Sequence, residues 1–161
     1  MNAGKWMVCA LAGVSLAACV SLMGVEHLKP GTISIEQVRA KEKPAAEWKN
    51  TDGTLSLEYD ARPDNAQNVM LDFDAKGMLT AVREVITLEN MALLRTGMTR
   101  MEVKRILGNP RYVAKDGVTG GDIWEWPLEQ GSDGFAAAVI SVQLHPVADG
   151  VVRIEKTVRF R

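Results

Sequence analysis

Apolar and polar residues alternate with period two in six stretches of the chain: "GTLSLEYD", "NVMLDFDAKG" and "MLTAVREV", then "DIWEWPLE", "AAVISVQLHPVADG" and "VVRIEKTVRFR". That period puts alternate side chains on opposite faces, as in strands buried on one side. The stretches form two trios, and the last two members of each trio meet at a short glycine-ended turn, "DAKG" or "VADG", which favours a hairpin. A helix signal precedes each trio. In "GMTRMEVKRILGNP", Thr99 is placed as N-cap with Glu102 three residues on, so hydroxyl and carboxylate can satisfy each other's backbone N–H groups. Met98 and Val103 occupy the two positions of a hydrophobic staple, and Val103, Ile106 and Leu107 share one helix face. Gly108 supplies a left-handed stop and Pro110 blocks continuation, while Gly97 opens the turn. "LKPGTISIEQVRAKEKP" repeats this grammar with Ser34, Gln37, Ile33, Val38, Gly31 and Pro44.

Two such runs in the same order indicate an internal duplication with a period near 70 residues. A further short helical candidate stands ahead of each capped helix, "SLMGVEHLK" and "TLENMALLR". The expected fold is therefore α+β: two tandem helix-helix-three-strand antiparallel units, with the helices packed on one face of the sheet. The first unit is expected over residues 28–87 and the second over 88–161. Units this small are marginal alone, so the two should share a core or continue one sheet.

Composition narrows the function. With 47% hydrophobic and 24% charged residues the chain can build a core, and a net charge of -1 gives no basic field for nucleic acid. Residues 1–18 carry one positive charge at Lys5, then an apolar run too short to span a membrane but suited to a secretory signal. Its end, Leu16-Ala17-Ala18-Cys19, resembles the bacterial lipoprotein signal. The resemblance implies cleavage before Cys19 and a covalent lipid on its sulfur; Val20, rather than Asp, implies transfer to the outer membrane. Residues 19–27 would be the lipidated tether. The only other cysteine, Cys9, lies in the signal, so no disulfide is expected in the mature chain.

The stretch "LLRTGMTRMEVKRILGNPR" followed by "DIWEWPL" resembles the SmpA/OmlA group, the BamE-like small outer-membrane lipoproteins. Gly97, Met98, Thr99, Glu102, Val103, Leu107, Gly108, Pro110, Trp124 and Trp126 carry the resemblance, which covers roughly residues 88–161. The first copy departs from the pattern, with Glu42 and Lys43 where the family has Leu-Gly. Two units in tandem resemble the beta-lactamase-inhibitor-protein fold. The family takes part in outer-membrane β-barrel assembly or envelope integrity, which implies as partner an envelope protein such as the barrel-assembly machinery.

Candidate chemistry is sparse. "GMTRMEVK" lacks the glycines and Lys-Ser/Thr ending of a phosphate loop. "DFDAKG" begins like a calcium loop, but Arg83 stands where a bidentate glutamate is needed. Only His27 and His145 could serve as imidazole ligands or bases, so no metal, no catalytic residue and no cofactor beyond the Cys19 lipid are expected. Trp124 and Trp126 project from one strand face, with Leu57 and Tyr59 as counterparts; they read either as core or as an aromatic partner-binding platform. Aligning Gly77 with Gly150 places Arg83 and Lys156 at equivalent positions, each interrupting an apolar strand face; they are the charged partner-contact candidates, against side chains that snorkel past an edge or are turned outward by a bulge. The expected function is a non-enzymatic, lipid-anchored binding or scaffolding module at the periplasmic face of the outer membrane. The alternative is an inhibitor-like module that docks on an enzyme through its sheet.

Overall fold

The computed structural model describes residues 28–60, 68–130 and 136–160. The signal segment, the tether with Cys19 and His27, and most of "SLMGVEHLK" lie outside them. The first unit runs α1 (Ile35–Arg39), β1 (Ala46–Lys49), β2 (Leu55–Asp60), β3 (Asn68–Phe73) and β4 (Leu79–Glu84). The second runs α2 (Leu88–Met91), α3 (Arg100–Leu107), β5 (Tyr112–Lys115), β6 (Asp122–Gln130), β7 (Ala136–Leu144) and β8 (Val151–Phe160). Each unit holds one antiparallel sheet, in the orders β1-β2-β3-β4 and β5-β6-β7-β8.

The expected helix-helix-three-strand unit is therefore corrected: the sheets have four strands, the helices are few and short, and they do not all cover one face. The added strands, β1 and β5, have four residues each and follow Pro44 and Pro110. Four residues hold too little alternation to register as a pattern; what makes them strands is pairing along β2 and β6. "TLENMALLR" yields a single turn, because Leu93 and Leu94 N–H bond the carbonyls of Asn90 and Met91, three residues back, and close the helix.

The duplication appears in the registers. Leu57 faces Leu71 as Trp124 faces Val142, and Ala46 faces Glu58 as Tyr112 faces Glu125. Both last strands carry an irregularity just after their first residue, at Asp72/Phe73 and Gln143/Leu144. A glycine turn fastens each: Gly31 N–H donates to Leu79 O and Gly97 N–H to Val151 O, both at 2.8 Å. Both long-helix caps are complete boxes, Ser34 with Gln37 and Thr99 with Glu102.

Ile33, Ile35 and Val38 pack on the face of the first sheet that carries Leu57, Tyr59, Leu71 and Phe73. Leu94, Val103 and Leu107 pack on the second sheet against Trp124, Trp126, Ile140 and Val142. The other face of the first sheet is covered too, where Trp48, Met70 and Val85 form a third cluster. The end of α3 reaches that face. Gly108 has φ +76°, and a Cβ there would sit 2.8 Å from both Asn68 Nδ2 and Glu58 Oε1. Gly31 has nearly the same φ, +77°, with no atom within 4 Å of the place a methyl group would take. Gly108→Ala is therefore expected to lower the urea-unfolding free energy by about 3 kcal/mol and Gly31→Ala by about 1 kcal/mol, since only the first adds a steric clash to the left-handed strain. Equal losses would show that the conformation alone matters.

Candidate functional site

The residues nominated from sequence do not assemble into one surface. Trp124 is 6% exposed, Trp126 0% and Tyr59 5%, so the aromatic candidates are core. The two indoles meet edge to face at 6.1 Å, and Trp126 Nε1–H donates to Gly108 O at 3.2 Å. The Lys104 ammonium lies 5.1 Å from the Trp124 ring. The Tyr59 hydroxyl donates to Glu42 O at 3.3 Å; burial first, then the Glu42 charge, pushes its pKa up to about 12.

Arg83 and Lys156 are not equivalent. Arg83 stands opposite Met70, and its second-unit counterpart is Glu155, opposite Ser141. Lys156 stands opposite Ile140, and its counterpart is Glu84, opposite Val69. The glycine alignment slipped by one because the two hairpin turns differ in length. Arg83 lies on the face away from α1, where Nε and the terminal nitrogen hold Asp72 at 2.5 and 3.0 Å. The hydrogen bond to Asp72 raises its pKa above the usual guanidinium range. Lys156 is exposed on the face shared with Ile154.

The most constrained polar group is one the alternation assigns to solvent. Glu58, one of the polar residues of "LSLEYD", is fully buried between the first sheet and the end of α3. Its carboxylate accepts from Asn109 N–H at 2.6 Å, Asn109 Nδ2 at 3.2 Å, Trp48 Nε1 at 3.2 Å and Asn68 Nδ2 at 3.4 Å. Asn68 also donates to Asn109 O at 2.9 Å, closing a ring between the units. Beside it, Arg105 donates to Asn50 Oδ1 at 2.8 Å and Lys49 O at 3.0 Å, with its guanidinium 5.9 Å from the Trp48 ring. Asn90 Nδ2 bonds Val85 O at 2.9 Å. A sequence signal did exist: "NVMLDF" is apolar on both faces, which requires the first sheet to be covered twice.

A second cluster fixes the start of α3. Asp149 accepts from the Arg100 N–H at 3.0 Å and its guanidinium at 3.1 Å, and the same side chain reaches Asp122 at 3.2 Å. Asp122 also pairs with Lys115 at 2.6 Å. His145 Nδ1 accepts from the Val147 and Ala148 N–H groups. Among the described residues no group of three His, Cys, Asp or Glu is placed to hold a metal ion. A shallow groove of about 550 Å³ lies along α1, with Leu28, Ile33 and Ala40 in its wall and Lys29 and Lys41 beside them.

The fold defines a mainly antiparallel two-sheet protein of duplicated units, joined through a buried carboxylate. No family model, curated protein or solved structure matches the chain.

Two outcomes follow for this region. Glu58→Leu leaves the Asn109 and Trp48 donors buried and unpaired, and should cost about 3 kcal/mol in urea unfolding; a loss under about 0.5 kcal/mol would mean the junction does not depend on the carboxylate. The second concerns pH. The Thr99 backbone N–H lowers the Glu102 pKa, the Arg100 backbone N–H that of Asp149, and the Lys115 hydrogen bond that of Asp122. Groups depressed in the folded state stabilise it fully above their unfolded pKa, about 4, and lose that contribution as pH falls through the folded values. The urea midpoint should be flat from about pH 7 to 5 and fall below about pH 4.5, less steeply in Glu102→Gln. An unchanged slope in that variant would remove the capping carboxylate from the acid response.

Proposed function

We propose that the chain is a lipid-anchored, non-enzymatic scaffolding module of the bacterial envelope, acting from the periplasmic face of the outer membrane on a protein partner. The observation that carries the reading is the use made of polar groups. Among the described residues every buried side-chain nitrogen and oxygen has a hydrogen-bond partner, and the largest buried network joins one unit to the other. Polar chemistry spent in this way holds two sheets in a fixed relation, which suits a scaffold.

The N-terminal sequence supports the anchor. Leu28 follows Cys19 by nine residues, so a lipid on Cys19 would hold the first unit within about 30 Å of the bilayer. Barrel-assembly machinery as partner rests on the resemblance of residues 88–161 to the SmpA/OmlA group. Docking as an enzyme inhibitor through Trp124, Trp126 and Tyr59 is less favoured, because those side chains are inside.

Metabolic labelling with a fatty-acid probe should mark the wild-type chain and fail to mark Cys19→Ala. Label persisting in the variant would sink the anchor, and in-cell crosslinking that captures no envelope protein would sink the scaffold.

A further inference from the structure

We propose that the groove along α1 is the seat of the chain's own residues 20–27, which pack into it as a short helical turn and take in the first unit the place that α2 takes in the second. The glycine turns give the correspondence between the units: Gly31 N–H donates to Leu79 O as Gly97 N–H does to Val151 O, each on the first residue of the last strand. Counting back from that pair, Leu28 falls on Leu94, Val25 on Met91, Leu22 on Leu88, Ser21 on Thr87 and Val20 on Ile86. Residue types agree at all five positions. Four are apolar in both copies, and Ser21 stands where Thr87 caps α2 by accepting from the Asn90 N–H at 3.1 Å.

The groove lies where the second unit holds α2. There Ile86 and Met91 pack on the core beside Met98 and Ile106, and Leu94 is left 4% exposed. Asn90 Nδ2 is 3.5 Å from Ile106 O, which sets α2 against the end of α3. By the matching caps Ser34 and Thr99, Ile106 corresponds to Lys41 and Met98 to Ile33. Lys41, Ile33 and Leu28 all line the groove. Leu28 is only half-buried where its counterpart is buried, so the apolar surface that α2 covers in one unit is still open in the other.

Connectivity selects the occupant. The segment runs directly into Leu28 at the groove's wall, so seating it costs only the closure of a few residues, whereas a separate molecule would also lose its translational freedom. Val20, Leu22, Met23 and Val25 also give it more apolar surface than a solvated linker carries. One bond of the second unit is missing. Gly24 stands at the place of Asn90, whose amide holds Val85 O and Ile106 O, so the turn rests on its apolar side chains. A consequence for the membrane rests on the anchor proposed above: the packed turn shortens the reach from Cys19 to Leu28 from about 30 Å to about 15 Å.

The test uses the full chain with Cys9→Ser and Cys19→Ser, purified in mild detergent, and reads the rate at which a single introduced cysteine reacts with a water-soluble maleimide. Leu88 is 50% and Leu93 54% exposed while Met91 faces the core, so Leu22→Cys and His27→Cys should react fast and Val25→Cys about tenfold more slowly. Ala40→Trp, which fills the groove from an exposed position of α1, should bring Val25→Cys up to the rate of the other two. Gly24→Cys should be joined to Lys41→Cys within one chain by a short bifunctional maleimide, but not to Val118→Cys, 94% exposed in the second unit. The proposal is overturned if the three single cysteines react at one rate, if Ala40→Trp leaves Val25→Cys slow, or if Gly24→Cys joins Val118→Cys as readily as Lys41→Cys. None of these arms needs a lipid, so their failure leaves the anchor to the fatty-acid labelling.

Discussion

A carboxylate taken out of water must be met by several donors at once, and Glu58 is met by a backbone amide, two side-chain amides and an indole. These donors come from β1, β3 and the residue after Gly108, so satisfying the group fixes three elements from two units. Gly108 lies at the centre of this arrangement. It ends α3, accepts the Trp126 indole N–H and brings its backbone so near Glu58 and Asn68 that a Cβ there would stand 2.8 Å from both side chains. The core of the second unit and the junction with the first are thereby coupled through one residue. Arg105 and Asn90 extend the contact on either side with bonds to backbone carbonyls of the first unit.

This junction also explains how two copies of one unit differ. Glu125 occupies in the second sheet the place of Glu58 in the first, with Tyr112 opposite it where Ala46 stands opposite Glu58. It is satisfied by Arg159 from its own sheet rather than by a following helix. The sequence changes around the two glutamates, Trp48 to Ala114 and Asn68 to Val139, are the ones expected if only the first sheet needs donors for a helix end on that face. The extra length of β6, β7 and β8 carries the exposed Val158 and Phe160 and has no counterpart among the described residues of the first unit.

Much of the local structure was legible in the sequence because it is decided over a few residues. The cap and staple positions in residues 97–110 appear as read, since a capping box is a matter of spacing, while Gly108 stops the helix as its C-cap, with φ 76° and ψ -169°, rather than as a left-handed residue beyond it. Six strands appear for the same reason. What was not legible is whatever depends on a partner distant in the chain. β1 and β5 are strands because β2 and β6 offer hydrogen bonds, α2 stops after one turn, and the one-residue slip that paired Arg83 with Lys156 becomes visible only in the ladder. The tryptophan pair illustrates the limit most directly: alternation puts both indoles on one face, and only packing shows that α3 covers that face.

The sequence by itself determined the capped helices, the strand periodicity and the repeated order of these elements, all properties of short spacing and residue type. Tertiary structure alone decided which polar residue would be buried. Glu58 looks like a solvent-facing member of an alternating strand, yet it binds the units together; Arg83 looks like an interruption of an apolar face, yet it lies on the other face and pairs with Asp72. The reason is physical: a strand's period sets which side chains share a face, but what lies against that face is set by chain segments about 50 residues away.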